Sequence, residues 1–238
     1  MNLLAIECST EVLSVAVWSA GEVCERADAP GPRHGDRLLP LIDAVLADAR
    51  INKLDLAAVA FGCGPGAFTG VRMAVAAAQG IGYGLDIPAL PISSLAALAQ
   101  EGFERGAVAP ILALADARMG ELYAGYFDVD ADGLVQSIGD ERLVTPAALE
   151  LPGDNIWCAV GPGERAHREA LKQRFGYRLD RVDGPVYPQA GSIARLGARA
   201  LRAGQGVSAR QALPVYLRDK VAQTTAEREA AQRAREAV

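Results

Sequence analysis

From Thr69 to Gly84 the chain reads TGVRMAVAAAQGIGYG, and Arg72 and Gln79 are the only clearly polar side chains within it. They stand seven residues apart and share one narrow stripe of a helix. The rest of that helix calls for cover nearly all round. Its glycines weaken it by roughly 1 kcal/mol each relative to alanine, so packing must hold it. Small residues at 74, 76, 77, 78, 80, 82 and 84 let a second helix come close. One face can lie on the protein's own sheet. We read the other as a face that docks a partner protein, the alternative being a helix sandwiched inside its own domain.

The stretch His34 to Ala49 carries a similarly wide apolar stripe. Leu38, Leu41, Ile42, Val45 and Ala49 follow helical spacing, and Leu39 and Leu46 broaden it. The expected partner interface is therefore Leu38, Leu41, Ile42 and Val45 together with Val71, Arg72, Val75, Ala78 and Gln79. Around these helices lie strands at Leu3–Cys8, Leu13–Trp18, Val23–Ala27, Leu56–Phe61 and Ile87–Pro91, and a helix from Ser93, whose hydroxyl suits an N-cap, to about Phe103. A Pro/Gly-rich linker, Ala29 to Arg33, precedes the first helix.

The second half repeats this order. Strands at Ile111–Ala115 and Leu122–Phe127 flank a polar turn, and an extended piece runs from Gly133 to Val144. A short helix opens at Thr145-Pro146. A strand follows at Asn155–Val160, then helices from Glu164 to about Phe175 and from Gln189 to about Ala203. Two meanders, each followed by crossover helices, imply an α/β protein with two layered subdomains, 1–106 and 107–218. Residues 219–238 form a charged helix or tail.

Composition narrows the function. Half of the residues are apolar, enough for a core without disulfides. A net charge of −5 argues against a broad nucleic-acid surface. The four cysteines form no CxxC pair and read as small buried hydrophobes of a reducing compartment. No secretory signal or membrane-length run is visible, so a soluble cytoplasmic protein is expected.

The duplicated order is that of the ribonuclease H-like fold of actin and sugar kinases. Five segments make the resemblance specific: Leu4-Ala-Ile-Glu-Cys-Ser-Thr10; His34 with Leu38-Leu39-Pro40; Gly64-Pro-Gly-Ala-Phe-Thr-Gly-Val-Arg72; Asp116-Ala-Arg118 with Glu121-Leu-Tyr123; and Pro214-Val-Tyr-Leu-Arg218. In this order they resemble the TsaB (YeaZ) family, bacterial subunits needed to make threonylcarbamoyladenosine in tRNA. The resemblance covers nearly the whole chain. It implies a non-catalytic scaffold that binds the TsaD transferase and the TsaE ATPase, pairs with itself when alone, and meets tRNA only indirectly.

The rival class is an ATP-dependent small-molecule kinase or nucleotide hydrolase of the same fold. Nucleotide-using members place an acid and a small hydroxylated turn after the first strand. Glu7, Ser9 and Thr10 stand there, with Asp116 as the counterpart in the second half. Gly64 and Gly66 precede a helix as an anion cradle would, yet the turn lacks the Lys-Ser/Thr of a phosphate loop. We read these glycines as room for close backbone passage. No cofactor is expected. A metal is not expected either: the related TsaD uses two histidines four apart, and here His34 is followed by Leu38. No Gly-x-Ser-x-Gly elbow points to a serine hydrolase. Cys63 stands before a helix N-terminus, where the dipole favours a thiolate, but reads as structural.

Overall fold

Every residue of the first strand from Leu3 to Glu7 is buried, the mark of a central strand covered on both faces. The computed structural model describes residues 1–28 and 34–218, so the expected linker at 29–33 and the tail from 219 lie outside the described residues. The elements are β1 (Asn2–Glu7), β2 (Ser14–Ser19), β3 (Glu22–Ala27), α1 (His34–Ala49), β4 (Leu56–Gly62), α2 (Phe68–Leu85), β5 (Ala89–Ile92) and α3 (Ser94–Glu104). There follow β6 (Ile111–Arg118), β7 (Glu121–Val129), β8 (Val135–Ser137), β9 (Arg142–Val144), β10 (Trp157–Val160), α4 (Pro162–Ala166), α5 (Arg168–Phe175), β11 (Leu179–Arg181) and α6 (Ala190–Arg202).

The first sheet has the order β3-β2-β1-β4-β5, with β2 antiparallel and β4 parallel to β1. In the second, β8 and β9 both pair with β7, and the order continues β7-β6-β10-β11. Here β7 is antiparallel and β10 parallel to β6. The two sheets thus repeat one strand order, that of a duplicated ribonuclease H-like fold.

The helices are shared between the halves. α1 lies on β2 and β3, and α2 on β4 and β1. The opposite face of the first sheet is covered by α6, from the C-terminal half, whereas α3, from the N-terminal half, packs on β6 and β7. One hydrophobic core accordingly joins Leu3 and Ala60 of the first sheet to Ile111 and Val160 of the second through Leu98 and Ile193. A cut near residue 106 separates each sheet from a helix that covers it.

Local differences from expectation have local causes. Ser93 does cap α3, accepting from the amides of Leu95 and Ala96. Thr145-Pro146 opens only a hydrogen-bonded turn, in which Thr145 accepts from Ala148 and Leu149. The helix expected from Glu164 breaks at His167, whose φ of −120° leaves helical space and separates α4 from α5. The edge strand β11 is three residues long, with Asp180 and Arg181 exposed, too short for its alternation to show.

Candidate functional site

The turns after β1 and β4 and the end of β6 meet at one cleft of about 750 Å³ between the halves. This is where chains of parallel strands leave room for ligands, beyond the carboxyl ends. Ser9, Thr10, Gly66 and Asp116 are among the residues that line it. Asp116 is turned to its own hairpin: it accepts from the Arg118 amide at 2.8 Å and pairs with the Arg118 guanidinium at 3.1 Å.

Glu7 does not reach the cleft. It is fully buried; Oε1 accepts from the Ser9 amide and Oε2 from the Ser94 hydroxyl at 3.0 Å. Burial, the largest influence, raises its carboxyl above the ordinary value despite these bonds. The carboxylate expected to face a nucleotide instead ties β1 to the start of α3. Gly64 is not itself a lining residue but packs behind Val71 and Val215, which are. Its φ of +98° and the Val215 carbonyl, 3.0 Å from where a Cβ would sit, demand glycine there for the protein's own fold. Gly66 lies against Ser9 in the same manner, a Cβ there meeting Ser9 Cβ at 2.5 Å. The glycine-rich turn thus packs one backbone on another.

Cys63, at the end of β4, is buried, and burial pushes its thiol up to about 12, with the charges of Glu141 and Glu7 adding. Among the described residues no three His, Cys, Asp or Glu side chains are grouped to hold a metal, and no helix is long and apolar enough to cross a membrane. The His34 side chain lies outside the described residues.

The two helices correct the expected interface. Leu38, Leu41, Ile42, Val45, Val71, Val75 and Ala78 all belong to the chain's own core beneath the first sheet's outer face. Five strands present enough apolar surface to absorb both stripes, so width alone did not mean spare surface. Arg72 and Gln79 face the C-terminal segment: Arg72 donates to the Tyr216 hydroxyl at 2.7 Å and Gln79 to the Ala212 carbonyl at 2.7 Å. What points outward is a different set. On α1 Leu39 is 64% exposed, and on α2 Tyr83 is 70% exposed, beside open Ala76, Gly80 and Gly84.

Over 228 residues the chain is 33% identical to the tRNA threonylcarbamoyladenosine biosynthesis protein TsaB of Escherichia coli strain K12, covering 93% of this chain and 96% of that protein. The chain belongs to the TsaB family. Residues 29–226 also match the family model described as TsaD: tRNA N6-adenosine threonylcarbamoyltransferase, so it stands in that wider family too. TsaB of Haemophilus influenzae is 33% identical over 233 residues, 93% of this chain and 95% of that one. YeaZ from Pseudomonas aeruginosa, a solved structure, has a TM-score of 0.83 at 37% identity, covering 91% of this chain and 99% of that one. A second Pseudomonas aeruginosa structure, described as an uncharacterized protein with similarity to peptidase YeaZ, has a TM-score of 0.85 at 35% identity over the same shares.

The segments that carry the TsaB resemblance are mostly brought together. Those at the end of β1, the start of α2, the β6–β7 hairpin and Val215–Arg218 all contribute to the cleft wall. The last of these joins the two walls of the cleft. Its signal was present in Arg72 and Gln79, the two polar residues of an apolar helix, which prove to be its anchors.

Proposed function

We propose that this chain is a non-catalytic scaffold for the formation of threonylcarbamoyladenosine in tRNA, docking a TsaD-like transferase and a TsaE-like ATPase and pairing with itself when alone. The docking surface is the outer side of α1 and α2, with Leu39, Ala76, Gly80 and Tyr83 in place of the buried residues first expected. One observation carries this reading. A Cβ on Gly80 or Gly84 would meet nothing within 4 Å, so the chain's own fold does not require these helical glycines. Each weakens its helix by roughly 1 kcal/mol, and close approach of another helix gives that sacrifice a purpose. The inward glycines differ: a Cβ on Gly70 would lie 1.8 Å from the Cys8 carbonyl.

The burial of Glu7 supports the scaffold over a kinase or hydrolase, since the acid such chemistry uses is engaged elsewhere. The net charge of −5 suits a subunit that leaves tRNA to its partners, in the cytoplasm where tRNA is modified. The test is co-purification with the transferase. Ala76→Glu abolishes capture while circular dichroism is unchanged, and reconstituted tRNA modification then fails. Ala78→Glu, by contrast, unfolds the chain, because Ala78 is wholly buried. Full capture by folded Ala76→Glu, or modification proceeding without this chain, defeats the reading.

A further inference from the structure

The segment Ala212–Arg218 runs from α2 to the β6–β7 hairpin and is fastened at both ends. On the first half, Gln79 Nε2 donates to the Ala212 carbonyl at 2.7 Å, the Val215 amide donates to the Cys63 carbonyl at 2.8 Å, and Arg72 Nε donates to the Tyr216 hydroxyl at 2.7 Å. The Arg72 guanidinium also stacks over Phe68, 3.6 Å from its ring centre. On the second half, Arg218 Nη2 donates to the Ala117 carbonyl at 3.0 Å and pairs with Glu121 at 2.7 Å. Val215, Tyr216, Leu217 and Arg218 of this segment form part of the cleft wall.

On its other side the molecule is joined through the shared core of α3 and α6. Leu98 belongs both to that core and to the cleft lining, so the core lies against the cleft floor. Two walls joined along a floor and tied by a separate segment form a hinge with a strap. The first half is shaped for the strap: Gly64 takes a φ of +98° and leaves room for the Val215 carbonyl, where a side chain would crowd it.

We propose that Ala212–Arg218 is an intramolecular strap that fixes the opening of the cleft, and that releasing either end lets the β6–β7 hairpin swing away from α2 about the shared α3–α6 core. This holds the cleft in one geometry without a ligand, and it does not depend on which partner the outer helices meet.

Amide hydrogen exchange on the full chain tests it. Arg218→Ala removes the hairpin anchor, while the double variant Arg72→Ala/Gln79→Ala removes both side-chain anchors on α2. In both variants the amides from Arg118 to Tyr123 exchange about tenfold faster, with β1 and β4 unchanged, as expected for a local opening. Arg105→Ala, which removes an ion pair with Glu101, leaves the hairpin as in the parent. Unchanged hairpin exchange in Arg72→Ala/Gln79→Ala overturns the proposal, because the contacts then act only where they stand. Equal acceleration across β1, β4 and α6 overturns it too, since the segment is then ordinary core.

Discussion

A Cβ placed on Gly62 would lie 2.0 Å from Oε2 of Glu7, so the glycine that ends β4 gives this carboxylate its room. The same oxygen accepts from Ser94 at 3.0 Å, which joins β1, β4 and the first turn of α3 at one buried point. Gly62→Ala forces that carboxylate out of its hydrogen bonds. The expected loss is about 3 kcal/mol, combining overpacking with an unsatisfied buried group, and a urea midpoint reads it. A midpoint within experimental error of the parent's contradicts the arrangement.

Glu7 also gives stability a pH dependence of known sign. Burial raises its folded-state pKa above the ordinary 4.5, outweighing the bonds from Ser9 and Ser94. The folded chain therefore holds this proton more tightly than the unfolded chain does. Its contribution is fully present below the unfolded value and is lost as pH rises through the folded one. Glu7→Gln retains an acceptor for the Ser9 amide and a partner for Ser94 without the charge. Its Tm exceeds the parent's at about pH 7, and the gap closes as pH falls to about 4.5. A gap that stays constant over this range rules out Glu7 as its source. Retained tRNA modification by the variant further separates a structural Glu7 from a catalytic one.

The thiols make a third prediction. Cys63 and Cys8 are buried and both are pushed up mainly by burial, Cys63 to about 12. Cys24 is only partly covered. In the folded chain at about pH 8, a thiol reagent modifies Cys24 first and reaches Cys8 and Cys63 only after denaturant is added, which peptide mass spectrometry resolves. Rapid labelling of Cys63 in the folded protein contradicts the burial account of its thiol.

The strand order was legible because β1, β4 and β6 are short apolar runs separated by glycine, proline and polar turns, and because the second half repeats the first. Ser93 announced α3 by its own chemistry. The exchange of α3 and α6 between the sheets left no such mark, since an apolar helix face looks the same whichever sheet it covers. For the same reason Leu38, Leu41 and Val75 look like spare surface in the sequence: periodicity shows that a face is covered, never by what. The cleft residues Ser9, Thr10, Gly66 and Asp116 were legible from turn chemistry. The inward turn of Glu7 is not legible, because alternation along β1 cannot reveal that Gly62 and Ser94 make room and a partner for it. The strap was hidden because its contacts join residues more than 130 positions apart in α2.

The glycines of α2 divide into two kinds, and substitution separates them. Gly70 packs against the Cys8 carbonyl, 1.8 Å from a built Cβ, so Gly70→Ala must push α2 away from β1. That costs about 3 kcal/mol. Gly80 has open space where its side chain would be, so Gly80→Ala only improves helix propensity. The isolated chain gains about 1 kcal/mol, a rise of about 2–4 °C in Tm. If the outer face of α2 receives another helix, the added methyl holds the two axes apart, and capture of the transferase weakens although the subunit alone is more stable. Opposite signs in the two assays are the expected result. Gly80→Ala that stabilises the chain and leaves capture intact moves the docking surface off α2, and one that destabilises the isolated chain shows that Gly80 meets a neighbour within its own fold.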